Sequence, residues 1–243
     1  MSTVDERIAE LTDRYALGAG AAAGLEALLE RLAADLHAPT TVREPERAVD
    51  EHIADSLVAL ELEQVRTAVN VLDLGAGAGF PGLPLAIALP RAEFVLVDSN
   101  ARKCAFIERA IAAAAVRNAH AMHTRAEELA PGEFDLVTAR AVASLAVLAE
   151  YAAPLLALDG WLVAWRGRRD PDGERDAAAA AEVLGLEVHE PAHVQPFPGA
   201  EHRYLHLMLK VRDTPARFPR RPGIALKRPL GAESRAPSDR PQR

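Results

Sequence analysis

A strand-like run, a turn with glycine at alternate positions and a helix-like run follow one another in Val71-Leu72-Asp73-Leu74-Gly75-Ala76-Gly77-Ala78-Gly79-Phe80-Pro81-Gly82. Few folds accommodate that order. Glycines spaced this way permit positive φ and let a ligand approach the backbone closely. Pro81 suits the first turn of the departing helix, where a missing N–H costs little. The segment predicts a βα unit of a parallel sheet, with a small-molecule site at the carboxyl end of its strand.

The rest of the chain agrees. Strand-like runs at 69–74, 93–97, 119–123, 134–138 and 160–165 alternate with helical spacing at 81–89, 100–116, 125–130, 144–157 and 174–184, before β segments at 186–195 and 203–211. Alternation of this kind predicts an α/β, Rossmann-like fold: a mostly parallel seven-stranded sheet with helices on both faces. Ahead of it, three helical segments are predicted at 3–16 (Val4, Ile8, Leu11, Tyr15), 21–37 (Leu25, Leu28, Leu29, Leu32, Leu36) and 46–61 (Val49, Ile53, Leu57, Leu60). The expected division is an N-terminal helical extension over 1–66, an α/β domain over 67–211 and a basic Pro/Arg-rich tail over 212–243, irregular in structure.

Composition narrows the setting. The start of the chain carries acids and no apolar core of a signal peptide, and the apolar tract from Ala141 to Leu158 is broken by Glu150 and Pro154, so a buried helix is expected there and no membrane partner. One cysteine, Cys104, excludes an intrachain disulfide and a cysteine-based zinc site, and the eight histidines form no paired spacing, so no metal is expected and the setting is cytoplasmic. Residues 203–243 hold 11 Lys/Arg against three Asp/Glu, whereas residues 1–202 hold 17 against 32. A basic end on an acidic body suits local contact with phosphates, or is simply a solvated tail.

Asp98 ends the second predicted strand, 23 residues after Gly75, where a carboxylate accepts hydrogen bonds from both hydroxyls of a ribose. A dinucleotide would set its pyrophosphate over the turn, and Gly77, Gly79 and Gly82 formally match G-x-G-x-x-G, but out of position and with Pro81 inside the motif. Asp73, directly before the turn, would repel a pyrophosphate, while a cofactor bearing ribose, ammonium and sulfonium tolerates acids. S-adenosylmethionine is therefore favoured. Arg125-Ala126-Glu127-Glu128, after the third strand, lies beside the same turn and offers backbone groups to an adenine ring, or is merely a helix start with acids at its positive end. A nucleotide-dependent oxidoreductase and a non-catalytic RNA-binding or ribosome-assembly protein stay open at this point.

For a methyl-transferring chain, Thr138-Ala139-Arg140-Ala141-Val142 lacks the Asn/Asp-Pro-Pro-aromatic turn that serves exocyclic amines. Carbon-5 chemistry needs a nucleophilic cysteine, and Cys104 falls in the helix after strand two, as a small core residue. Attack by a nitrogen with a free lone pair, such as guanine N7, needs no general base and remains consistent.

Four segments together resemble the RsmG (GidB) family of bacterial small-subunit rRNA methyltransferases. They are His52-Ile53-Ala54-Asp55-Ser56-Leu57, the run from Asp73 to Pro84, Ala139-Arg140-Ala141-Val142-Ala143-Ser144-Leu145 and Phe218-Pro219-Arg220-Arg221-Pro222-Gly223-Ile224. The resemblance runs from about residue 40 to 230 and implies a class I methyltransferase fold. It also implies N7 methylation of a guanine in the 530 loop of 16S rRNA in the small ribosomal subunit, by a monomer. Donor contacts are implied at Gly75, Phe80, Ala126, Glu127 and Arg140, with Gly77, Gly79 and Asp98 completing the cofactor set. Arg140 and Arg203 are the expected catalytic residues, and Arg166, Arg220 and Arg221 the expected RNA contacts. His52 and Asp55, three apart on one helix face, are expected to orient the N-terminal helices. Two departures stand out: Leu36-His37-Ala38-Pro39-Thr40-Thr41 replaces a Trp-Asn…Asn-Leu-Thr pattern, and Trp165-Arg166-Gly167 carries arginine where a Lys-Gly is usual.

Overall fold

The computed structural model describes residues 3–132 and 134–231. Its centre is a sheet of eight strands: β1 (Asn70–Leu74), β2 (Glu93–Asp98), β3 (Ala119–His123), β4 (Phe134–Arg140), β5 (Leu156–Arg166), β6 (Leu186–Val188), β7 (Ala192–Val194) and β8 (Arg203–Lys210). The order across the sheet is β3-β2-β1-β4-β5-β8-β6, with β7 also on β8. The first five strands are parallel, and β8 is antiparallel to β5.

The single β segment expected at 186–195 is two. Leu186 to Val188 pairs with Met208 to Lys210, and Ala192 to Val194 pairs with Arg203 to Leu205. Because β5 occupies the other edge of β8, β6 and β7 lie end to end on one edge, with three residues of theirs opposite two of β8. That is a β-bulge, and Pro191 inside it has no N–H to give to a ladder. The count of eight is thus the seven-stranded expectation with one strand interrupted.

Helices cover both faces. On one lie α1 (Val4–Arg14), α2 (Ala21–Ala34), α6 (Gly82–Ala88) and α7 (Ala101–Ala113), whose apolar residues share one core with Val71, Leu96 and Leu136. On the other, α8 (Leu145–Ala152), α9 (Pro171–Leu184) and the short α10 (Ile224–Lys227) pack on Leu72, Leu74, Val97, Val137 and Ala139. Adjacent residues of β1 go to opposite clusters, as the two-residue strand period requires. Thr3 caps α1 reciprocally with Glu6. The helix predicted over 21–37 stops at Ala34, so Leu36 leaves the apolar stripe and is 80% exposed. The helix expected over 144–157 ends at Ala152, ahead of Pro154, and β5 begins four residues later.

The third N-terminal helix is not uniform. It opens as α3 (Pro45–Ala48), widens into a π-helical stretch at Val49–Ala54, and closes as α4 (Asp55–Leu57) and a 3-10 turn at Val58–Glu61, before α5 (Glu63–Arg66). Irregular turns of this kind mark functional sites. His52 and Asp55 sit on it.

The tail is also more ordered than its composition suggested. Residues 218–231 return across α8, with Phe218 and Ala225 buried in the core of that face. The part of the tail expectation that concerns 232–243 lies outside the described residues.

Candidate active site

All three glycines of the turn after β1 have positive φ: +67° at Gly75, +60° at Gly77 and +90° at Gly79. A Cβ on Gly75 would lie 2.6 Å from Val142 Cγ2, and one on Gly79 2.5 Å from Leu83 Cδ1. Glycine is therefore required at both, by space as well as by conformation. Asp73 is not a surface charge at the turn. It is fully buried beneath it, where Oδ2 accepts from Gly82 N (3.0 Å) and Oδ1 from the Thr138 hydroxyl (2.9 Å). Burial pushes its carboxyl up to about 7, against the pull of those two hydrogen bonds. The expectation that Asp73 repels a pyrophosphate is thus corrected: it ties β1 to α6 and β4.

Above the turn, at the carboxyl edge of β1, β2 and β4, a cleft of about 250 Å³ opens. Gly75, Asp98, Ala126 and Glu127 line it, with Val97, Lys103 and Val142. Asp98 accepts from Gly77 N (3.1 Å), Asn100 N (2.9 Å) and Lys103 Nζ (3.2 Å). Two carboxylates, Asp98 and Glu127, share its walls with two cations, Lys103 and Arg125, so the Asp98 carboxylate at the end of β2, rather than net charge, is what suits a ribose. The cradle fits S-adenosylmethionine: a Cβ-free floor at Gly75, a carboxylate at the end of β2, and apolar side chains from Leu74, Val97 and Val142.

Other expected donor contacts lie elsewhere. Gly77 reaches the cleft only through its N–H to Asp98, and Gly79 packs against Leu83 below the turn. Phe80 is buried and stacks on the His52 imidazole, with ring centroids 4.6 Å apart and planes 11° apart. Arg140 lies over the other part of the same Phe80 ring, 5.6 Å from its centroid. Phe80 is therefore the link between turn and N-terminal helices, since its ring has no place among the residues lining the cleft.

The Arg140 side chain enters a second cleft of about 380 Å³, lined by Glu51, His52, Asp55, Trp165, Arg166 and Arg203 with Ala141. Arg140 Nη1 donates to Asp55 Oδ2 (2.9 Å) and to the Glu51 carbonyl (3.1 Å). Arg203 Nε donates to Asp55 Oδ1 (3.0 Å), and Trp165 Nε1 to the Asp55 carbonyl (2.7 Å). One nearly buried carboxylate thus holds two guanidiniums from β4 and β8. Arg140 Nη2 meets His52 Nδ1 at 3.2 Å, and because an arginine only donates, Nδ1 must accept. The imidazole proton is then on Nε2, facing the Val42 carbonyl (3.1 Å) and Thr40 Oγ1 (3.0 Å). Burial, and next Arg140, lower the His52 pKa to about 4. His52 is a neutral structural pivot at neutral pH. Arg166 also lines this cleft and donates through Nη2 to the Ala143 carbonyl.

Ala141 lines both clefts, and it has φ +57°, a conformation that costs a non-glycine residue energy. The strained residue is the partition between a cofactor-sized space and a cationic one.

A model of the family described as GidB, rRNA small subunit methyltransferase G, matches residues 27–198. The chain belongs to this family. It is 39% identical over 196 residues to the ribosomal RNA small subunit methyltransferase G of Desulfitobacterium hafniense (strain Y51), covering 79% of this chain and 81% of that one. Against the protein of the same description from Chloroflexus aggregans (strain MD-66 / DSM 9485) it is 40% identical over 198 residues, with 79% and 82% covered. Among solved structures, a SAM dependent methyltransferase from Aquifex aeolicus superposes with a TM-score of 0.52 at 14% identity, over 68% of this chain and 93% of that one. At that identity the likeness establishes the Rossmann-like fold. No helix among the described residues is long and apolar enough to cross a membrane, and no group of three or more His, Cys, Asp or Glu among them is arranged to hold a metal ion.

Within the GidB frame, the tail expectations divide. Arg220 is engaged inside the protein. Its Nε and Nη2 donate to the fully buried Glu150 at 2.5–3.1 Å, and its backbone N to Glu150 Oε1 at 3.0 Å. A desolvated carboxylate requires such a partner. Arg221 is exposed. Sequence reasoning missed Glu51, Lys103, Tyr151, Trp165 and Leu226 as lining residues. Only Lys103 carried a signal, lying five residues beyond Asp98 in the first turn of α7. Cys104 is buried, with Sγ 3.3 Å from the Asp98 carbonyl, as a core residue.

Proposed function

We propose that the chain is an S-adenosylmethionine-dependent methyltransferase that acts on N7 of a guanine in the 530 loop of 16S rRNA, within the small ribosomal subunit, in the cytoplasm. The relatives, each a ribosomal RNA small subunit methyltransferase G, support rRNA as the substrate. The observation that carries the reading is the meeting of two unlike clefts at Ala141, one edged by Asp98 and Glu127, the other by Arg140, Arg166 and Arg203.

Asp98 would hold the donor ribose and the Gly75 floor its methionine part, with Ala126 and Glu127 toward the adenine. The donor supplies an electrophilic methyl group next to a sulfonium. The polar cleft would take the target nucleotide, its three guanidiniums outnumbering the Glu51 and Asp55 carboxylates and its Trp165 wall supplying apolar surface. Guanine N7 has an in-plane lone pair and no proton, so this chain needs no general base. Its contribution is alignment across the Ala141 partition. The neutral His52 and the doubly engaged Asp55 fit that role, since neither is poised to move a proton. Arg140 acts from the acceptor side, positioned by Asp55, Glu51 and His52. Arg221, exposed on the returning tail, would contact RNA phosphate.

Incubation of the protein with labelled donor and small subunits lacking the modification, followed by nucleoside mass spectrometry, tests this. 7-Methylguanosine in 16S rRNA is the expected product. Label in another base, or none with donor bound, would overturn it.

A further inference from the structure

The tail was expected to be an RNA arm, yet its first half is fastened beside the donor cleft. Three anchors hold it. Arg220 grips Glu150 of α8 and, through Nη2, donates to the Arg228 carbonyl (2.8 Å), closing residues 220–228 into a loop. Gly223, at φ +81°, donates its N–H to Glu127 Oε1 (2.9 Å). Ala225 is 1% exposed against the α8 core. Tyr151, from α8, also hydrogen-bonds to Glu127.

These anchors leave one apolar side chain unaccounted for. Leu226 is 57% exposed although its neighbour Ala225 is buried, and it lines the donor cleft beside Ala126, Glu127 and Tyr151. A half-exposed leucine that lines a cleft together with Tyr151 and Ala126 presents apolar surface that a flat heteroaromatic ring would cover.

We propose that residues 218–228 form a strap that completes the donor site: Leu226 covers the purine ring of the donor, and Gly223 fixes the Glu127 carboxylate that faces it. This rests on the reading that the cleft binds S-adenosylmethionine. Donor affinity then depends on a segment some 140 residues beyond the glycine turn, and a partner that pulls the strap away weakens donor binding.

Two measurements on the full-length chain test it. Calorimetry with S-adenosylhomocysteine and with adenosine compares wild type, Leu226→Ala and Asp98→Ala. Leu226→Ala is expected to weaken both ligands by roughly tenfold, from lost apolar burial, while the melting temperature stays within a degree or so of wild type because the side chain is exposed without ligand. Hydrogen exchange on wild type, which needs no variant, is expected to show slower exchange across 218–228 when S-adenosylhomocysteine is added. Tight wild-type binding with Leu226→Ala unchanged and no protection of the strap overturns the proposal while leaving the donor site intact. Failure of wild type itself to bind overturns both.

Discussion

The two clefts that meet at Ala141 are built by opposite means. The cleft proposed for the donor is assembled from strand ends and the turns that follow them: Gly75 after β1, Asp98 closing β2, Ala126 and Glu127 after β3, Val142 after β4. Each element is local, and the parallel sheet brings them to one edge. The polar cleft draws on residues 51–55, 140, 165–167 and 203, which no local motif connects. It exists because a single carboxylate, Asp55, neutralises guanidiniums from two strands that flank β5. The first cleft therefore comes with the fold, whereas the second depends on how the N-terminal helices dock.

Asp55→Ala should break the contrast most severely. Removing the carboxylate leaves Arg140 and Arg203 facing each other in a cleft where Arg140 is largely buried, and breaking such a pair costs on the order of 3 kcal/mol. Urea unfolding should register that loss, while donor affinity in the protein that remains folded changes little. An equal loss of donor affinity would show that the clefts are not separable.

Asp73 probes the floor of the donor side through pH. Its carboxyl stays protonated up to about 7 in the fold, against 3.8 ordinarily. Between those values the folded chain binds more protons than the unfolded one, so this stabilisation is complete below about pH 4 and is lost as pH rises through 7. Asp73→Asn, which keeps one acceptor for Gly82 N, should therefore remove a pH-dependent loss on the order of a few kcal/mol. Urea midpoints of wild type and variant at pH 5 and pH 8 give the comparison, and parallel profiles would refute it. His52 acts in the opposite sense. Its lowered pKa of about 4 means that stability falls as pH drops from 6.5 toward 4.

Asp98→Ala should lower donor affinity by about one to two orders of magnitude, roughly 1.4–2.8 kcal/mol, with RNA affinity unaltered. Calorimetry and a filter-binding assay on the same preparation separate the two readouts. Arg221→Ala should be the mildest. RNA binding is expected to weaken slightly and the slope of log affinity against log salt to fall by about one. An unchanged slope would leave Arg221 as a solvated charge.

Most of the cleft above the glycine turn was legible in the sequence, because glycine spacing and an acid at a strand end are local signals. Gly75, Asp98, Ala126 and Glu127, expected to act together, line one cleft. Phe80 and the Arg140 side chain were legible as important but were placed with the donor. In the structure they contact His52 and Asp55, some 25 to 90 residues away in the chain. Arg220 read as a basic tail residue because nothing in the run Phe218-Pro219-Arg220-Arg221 distinguishes the arginine that meets Glu150 from its exposed neighbour.

From the sequence alone come the order of strands and helices, the glycine turn with its positive φ angles, and the carboxylate at the end of the second strand. These follow from steric limits and side-chain periodicity acting within a few residues. Tertiary structure alone decided which charges are used up inside the molecule and which remain for a ligand. A buried charge takes whatever partner the fold brings within hydrogen-bonding distance, and that distance is not written in sequence separation.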